Sequence, residues 1–254
     1  MKLFKGLKYL VLGAAIAVCA THGEAAEIHV WSAGAAKAPL SEVIESYQKA
    51  SGNSIKVDYA PVGVLVKRLS DGGKPDVLIV SQDVIADVER NGWSVSGSSA
   101  SVGSVGVGIA VKEGNPLPDI SSPEALRKTL LAAKTITYMD PSKGTSGKHF
   151  ASVLEQLGIT EQVKSKTTLG DVGFVVEPVA RGEIEIGIQQ ITEILPVKGV
   201  YLVGPLPASL QKITTYSMAL GTNAKDPETA RNFMSFVRSG SASSVFRAKG
   251  FATP

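Results

Sequence analysis

Apolar and polar residues follow one another along this chain in a repeating order: a short run with strand character, a small-residue turn, then an apolar stripe at helical spacing. Residues 27–32 (EIHVWS) form the first such run and Ala33-Gly34-Ala35-Ala36 the turn, and Leu40, Val43, Ile44 and Tyr47 share one helical face. Residues 55–60 read as the next strand. Pro61-Val62-Gly63 then opens a short helix through Leu65 and Leu69, ended by Gly72-Gly73. Residues 76–81 (DVLIVS) are apolar almost throughout, the pattern of a strand covered on both faces. Residues 82–90 follow as a helix with Val84, Ile85 and Val88 inward. Three β-α units in succession predict a parallel, doubly wound sheet.

Between residues 94 and 104 the composition shifts to Ser, Gly and Val, a candidate boundary or a plain surface loop, and 105–111 reads as a strand. A second α/β block follows. Either Ser121 with Glu124 as a capping box, or Ser122 with Pro123 at the first helical position, starts a helix through Leu126, Leu130 and Leu131. Residues 135–138 form a strand that stops at Asp140-Pro141, and Phe150, Val153, Leu154 and Leu157 mark a helix that Gly158 ends. Residues 171–182 read as a helix, 183–189 as a strand, 192–195 as a helical turn and 199–203 as a strand. Pro205 and Pro207 mark a second candidate boundary, and 214–220 (TTYSMAL) is a strand leading back. The last helix has Asp226 as cap, Pro227 at its first turn and Ala230, Phe233, Met234 and Val237 on one face. A final turn runs through Val245 and Phe246.

The first 25 residues stand apart from this pattern. Lys2, Lys5 and Lys8 precede an apolar run over 9–20, and Gly23-Glu24-Ala25 supplies small residues at the −3 and −1 positions of a cleavage site. A secretory signal peptide cut between Ala25 and Ala26 is the expectation, and the apolar run is shorter than the roughly 20 residues a membrane span requires. The single cysteine, Cys19, falls inside the signal, so thiolate catalysis, thiolate metal sites and a disulfide scaffold are excluded from the mature chain. The formal charge of +3 includes three lysines and Glu24 of that segment, which leaves the mature chain near +1. Such a balance gives no reason to expect nucleic acid or an anionic membrane surface as partner.

The densest cluster of candidate chemistry is the loop 138–150 (YMDPSKGTSGKHF). It connects a strand to a helix N-terminus, where free amides, the hydroxyls of Ser142, Thr145 and Ser146, and Lys143 and Lys148 could cradle a small anion. An ordinary connection with solvated lysines has the same appearance. Catalytic alternatives find little support. Gly144-Thr145-Ser146-Gly147 lacks the spacing of a nucleophile elbow, Ser142 and His149 break the phosphate-loop pattern, and no His and acidic residues cluster at metal-ligand spacing. No cofactor is expected, and the absence of heptads makes a monomer the default.

Taken in order, the segments WSAGAA, KPDVLIVSQD, MDPSKGTSGKHF and VARGEIEIGIQQITEI resemble the periplasmic solute-binding proteins of ABC importers, and within them the molybdate-binding group. The resemblance covers essentially the whole mature chain. It implies an α/β fold of the type II periplasmic binding protein kind, two doubly wound lobes joined by crossover strands. Residues 26–103 plus 208–254 would form one lobe and 104–207 the other, with a small anion held between them and a membrane permease as partner. By the same resemblance the ligand-binding set is Ser32, Ala35 and Lys37 with the amides of Val62 and Gly63 from the first lobe. Ser146, Gly147, the amides of Val172 and Gly173, and Gln190 come from the second.

Three side-chain donors usual in the molybdate group are changed, at Ala35, at Pro61-Val62-Gly63 and at Gln190. With Lys37 nearby, those changes favour a small carboxylate over a bare oxyanion. Each residue also has a plainer reading: Lys37, Lys143 and Lys148 as solvated charges, Ser32 as satisfying a backbone group, Gln190 as capping the following helix, His149 as packing beside Phe150. A ligand-binding component of a sensing system would use the same two lobes, and a secreted hydrolase is the remaining alternative.

Overall fold

The computed structural model describes residues 26–253, so the signal-peptide reading and Cys19 lie outside the described residues. Among the described residues ten strands form two five-stranded sheets. The first sheet holds β1 (Glu27–Ala33), β2 (Ser54–Ala60), β3 (Val77–Ser81), β4 (Ala100–Val105) and β10 (Thr214–Leu220) in the order β2-β1-β3-β10-β4. The second holds β5 (Val107–Lys112), β6 (Ile136–Met139), β7 (Thr167–Gly170), β8 (Ile186–Gln190) and β9 (Val200–Pro205) in the order β7-β6-β8-β5-β9. Helices α1 (Lys37–Ser51), α2 (Val62–Ser70), α3 (Gln82–Arg90), α9 (Pro227–Val237) and α10 (Gly240–Ala248) accompany the first sheet. Helices α4 (Pro123–Ala132), α5 (Thr145–Gln156), α6 (Thr160–Lys164), α7 (Glu177–Arg181) and α8 (Ile191–Ile194) accompany the second.

Each sheet has its own core. Leu40, Val43, Tyr47, Leu65, Val77, Ile79 and Phe233 belong to the first, and Leu126, Ile136, Phe150, Val153, Leu154 and Ile188 to the second. The uninterrupted apolar run of β3 is buried at every position, as expected for a strand covered by helices on both faces. The stripe of α5 buries Phe150, Val153 and Leu154, and the Phe150 ring meets Tyr138 of β6 edge to face at 5.1 Å. Asp226 caps α9 by accepting from the Thr229 amide at 3.0 Å, and the capping alternatives at α4 resolve to Ser122, which accepts from the Ala125 amide at 3.1 Å.

Several sequence expectations need correction. The sheets are mixed: β1, β2 and β3 run parallel, as do β6, β7 and β8, but β10 is antiparallel to β3 and β4, and β5 is antiparallel to β8 and β9. The strand expected over 105–111 is two strands in different sheets, broken at Gly106. The helix expected over 171–182 shrinks to the five residues of α7, because Gly173 sits at φ +73°, a left-handed conformation that a helix cannot contain. The closing turn at Val245 and Phe246 is the nine-residue helix α10. β7 and α6 carry too little periodicity to be read from the sequence.

The chain crosses between sheets at two places, Gly106 and the segment 206–213. They lie together: Thr214 pairs with Val105, and Val107 pairs with Gln190. The C-terminal ends of the parallel strands β1, β2 and β6 therefore face one another across the gap between the sheets, the position where open α/β sheets hold ligands.

Candidate functional site

In that gap lies a cavity of about 240 Å³. One wall comes from the end of β1 and the turn after it (Ala33, Gly34, Ala35), from Lys37, and from the end of β2 with Tyr59, Ala60, Pro61 and Val62. The opposite wall comes from Met139, the start of α5 (Gly144, Thr145, Ser146), the irregular stretch Val172-Gly173-Phe174, and Glu193; Tyr216 of β10 also lines it.

Side-chain caps divide the helices into two groups, and α3, α6, α7 and α8 lack one just as those at this cavity do. Helices α4, α9 and α10 are capped by the side chains of Ser122, Asp226 and Ser239. The helices that open onto the cavity, α1, α2 and α5, begin after Ala36, Pro61 and Gly144 and have no side-chain cap. Small or cyclic residues at those positions leave the amides of Val62, Thr145 and Ser146 without a helical acceptor, whereas the Gly63 amide donates to the Lys143 carbonyl and the Lys37 amide to that of Gly34; the positive dipole ends of the helices still face the cavity. Lys37 reinforces the potential. Its ammonium lies 5.9 Å from the centre of the Tyr59 ring and 5.1 Å from that of Phe174, so it bridges the two walls. No carboxylate pairs with it among the described residues.

Of the residues singled out from sequence, Ala35, Lys37, Val62, Ser146, Val172 and Gly173 line the cavity. The other four sit behind it. Ser32 is fully buried and its hydroxyl donates to the Ala33 carbonyl at 3.2 Å. The Gly63 amide is already committed, donating to the Lys143 carbonyl at 2.8 Å across the two walls. Gly147 is a packing requirement: a β-carbon there would sit 1.9 Å from the Met139 carbonyl oxygen, so only glycine lets α5 lie against the end of β6. Gln190 is buried below the cavity floor. Its amide nitrogen lies 3.3 Å from the Thr145 hydroxyl, 3.3 Å from the Tyr216 hydroxyl and 3.4 Å from that of Thr214. Thr145 and Tyr216 are themselves 3.0 Å apart, so this knot ties α5 to β10 across the sheets. Burial pushes the Tyr216 hydroxyl well above the ordinary tyrosine range, which keeps it a neutral donor.

The lysines of the loop have other roles. Lys143 pairs with Asp171 on the rim. Lys148 and His149 line a separate space of about 440 Å³ with Asp83 and Lys212. The His149 ring is 2.8 Å from the Leu210 carbonyl, and burial lowers its pKa. No group of His, Cys, Asp and Glu able to hold a metal occurs among the described residues.

The sequence reading passed over Tyr59, Phe174, Glu193 and Tyr216. Glu193 is the most consequential of them. It is a carboxyl with 7% of its surface exposed, on the wall of a cavity otherwise dressed for negative charge, and burial pushes its pKa from 4.5 up to about 8. A signal for it existed: an acidic residue flanked by Ile191, Ile194 and Leu195 on a turn immediately after a buried strand.

Two mixed sheets with flanking helices and a cavity between them define a class by fold, the type II periplasmic binding proteins. The chain matches the model of the bacterial extracellular solute-binding protein family over residues 28–252, and it belongs to that family. It is 30% identical over 227 residues to an aconitate isomerase of a Pseudomonas species, covering 87% of this chain and 86% of that protein. It is 25% identical over 248 residues to the molybdate-binding protein of Azotobacter vinelandii, covering 95% of each. The solved structure of the periplasmic molybdate-binding protein from Azotobacter vinelandii superimposes with a TM-score of 0.78 at 16% identity, over 89% of this chain and 99% of that one, a likeness of fold.

Proposed function

We propose that this protein captures a small anionic solute, a di- or tricarboxylate in preference to a bare oxyanion, and delivers it to the permease of an ABC importer after export to the periplasm. The observation that carries the reading is the convergence of three uncapped helix N-termini and Lys37 on one cavity. Its size supports the preference for a carboxylate. About 240 Å³ holds roughly eight water molecules at about 30 Å³ each, more room than a tetrahedral anion of five heavy atoms fills. Tyr59 and Phe174 add apolar surface that a carbon skeleton would use.

The lobes proposed from sequence, 26–103 with 208–254 and 104–207, would then be the bodies that close. A helix terminus contributes about 0.3–2 kcal/mol and each charge-assisted hydrogen bond about 1.5–3 kcal/mol, whereas micromolar capture requires about 8 kcal/mol. Donors from both walls must therefore engage together. Calorimetric titration of the ligand-stripped mature protein with citrate, tricarballylate, cis- and trans-aconitate, molybdate and sulfate tests this. Tight molybdate binding with no response to the carboxylates would refute the preference.

Two observations favour a second reading, isomerisation of an unsaturated tricarboxylic acid: a protonatable carboxyl, Glu193, stands in the cavity wall, and a relative bears the name aconitate isomerase. Moving a carbon–carbon double bond requires a group that takes a proton from one carbon and returns one to another. Incubation with trans-aconitate in deuterated water, followed by proton NMR, separates the readings. Deuterium incorporation and conversion at a rate proportional to protein supports catalysis, and an unchanged spectrum leaves capture alone.

A further inference from the structure

Glu193 occupies an unusual place. Its carboxyl reaches from α8 to the turn after β1 in the facing sheet, so close that a β-carbon at Gly34 would sit 2.7 Å from its Oε1 atom. It is buried, it lines the cavity, and no cation pairs with it among the described residues. The groups around it offer no counter-charge at contact distance. The turn Gly34–Ala36 has no ionisable side chain, α1 supplies Lys37 across the cavity, β2 supplies Tyr59 and β10 supplies Tyr216. β8 supplies the neutral Gln189 and Gln190, and β5 and β9 present Ala110, Val200 and Leu202 to the cluster around Ile194. Lys112, at the far end of β5, lies beside Gly182.

A bare carboxylate in this place would oppose the anion that the remainder of the cavity is built to attract, and two like charges sharing so small a space do not both stay ionised. A carboxylic acid resolves the conflict. The Gln189 side chain favours the charged form of Glu193, but burial is the larger influence and favours the acid.

We propose that Glu193 stands in the closed cleft as a neutral carboxylic acid and donates its proton in a hydrogen bond to an anionic oxygen of the solute. It thereby determines specificity for ligands that present an acceptor at that wall and couples their capture to one proton. This rests on the anion-capture reading above, and the experiment separates the two. The mature protein and the Glu193→Gln and Glu193→Ala variants are titrated with citrate, tricarballylate, molybdate and sulfate from pH 6.5 to 9.5. Infrared difference spectra of the ligand-free proteins are taken over the same range.

The infrared spectra should show the carbonyl stretch of a protonated carboxylic acid in wild type at pH 6.5, missing from Glu193→Gln and fading toward pH 9.5. Affinity of wild type should fall about tenfold per pH unit above the titration of Glu193. Glu193→Gln, which keeps a donor, should bind with a flat profile, and Glu193→Ala should bind at least tenfold more weakly at pH 6.5. Absence of the carboxylic-acid signal at pH 6.5, a flat wild-type profile, or full affinity in Glu193→Ala overturns the proposal. If none of the four anions binds, the anion-capture reading fails, and the infrared signal alone decides whether Glu193 holds its proton.

Discussion

Glu193 also links the cleft to the stability of the whole chain, and Glu193→Gln exposes that link. A carboxyl whose pKa rises from 4.5 to about 8 on folding is matched by a folded state that prefers it protonated. Its contribution is fully present below about pH 4.5, declines as pH rises, and is lost above about pH 8. Each pH unit in that window is worth about 1.4 kcal/mol, so the full span comes to about 5 kcal/mol. That is comparable with the lower end of the 5–15 kcal/mol that holds typical domains folded.

The carboxylates held low by their partners, Asp140, Asp226 and Glu27 among them, titrate below this window. His149 works in the opposite direction. Its pKa is lowered by burial, so its share of stability is gained as pH rises through the ordinary histidine range. The measurement is therefore a difference: urea denaturation of ligand-free wild type and Glu193→Gln at each pH from 5 to 9, with m-values compared to confirm a common mechanism. The variant's advantage should grow steadily by several kcal/mol between pH 5 and pH 8 and then level off. Two profiles that stay parallel within about 0.5 kcal/mol would show that Glu193 does not titrate in the folded protein as its burial implies.

Lys37→Ala should weaken binding of the carboxylate that calorimetry identifies by about 10- to 150-fold, the equivalent of one charge-assisted hydrogen bond, with the melting temperature of the ligand-free protein unchanged. Gly63→Ala places a β-carbon 2.9 Å from the Lys143 carbonyl oxygen, backbone against backbone across the walls. It should hold the lobes apart, so small-angle scattering with ligand should stay at the ligand-free radius and affinity should drop at least tenfold. Asp226→Ala removes the cap of α9 and should cost about 1 kcal/mol in chemical denaturation without changing affinity. Phe150→Ala empties a fully buried position between α5 and β6 and should cost about 3–5 kcal/mol in the same assay.

Strand β3 and helices α1, α5 and α9 were readable because their burial repeats at the period of a single element, so DVLIVS or the Phe150, Val153, Leu154 stripe declares its own surroundings. The direction of β10 was not readable, since nothing local distinguishes a strand that returns from the other sheet. The site divided in the same way. Ala35, Val62, Ser146 and Gly173 could be placed at the cavity from their position at strand ends and helix starts. Gly63, Gly147, Ser32 and Gln190 have the same kind of local context, but their donors or their space are taken, for Gly63 and Gln190 by the sequence-distant Lys143 and Tyr216, for Gly147 by Met139 and for Ser32 by the adjacent Ala33 carbonyl. Glu193 was missed because its meaning depends on Gly34, about 160 residues away, being near enough to strip it of water.

The order of strands in the first sheet has a consequence for how the chain acquires its shape as it is made. β10 lies inside that sheet, between β3 and β4, yet it is the last strand to leave the ribosome. Until residues 214–220 emerge, β3 has an open edge and β4 has no neighbour, whereas every strand of the second sheet exists once Pro205 has appeared. The later-encoded unit should therefore mature first, with the opening segment waiting for its missing centrepiece. Released chains truncated after residue 212 should resist protease over 107–205 and be cut within 27–105.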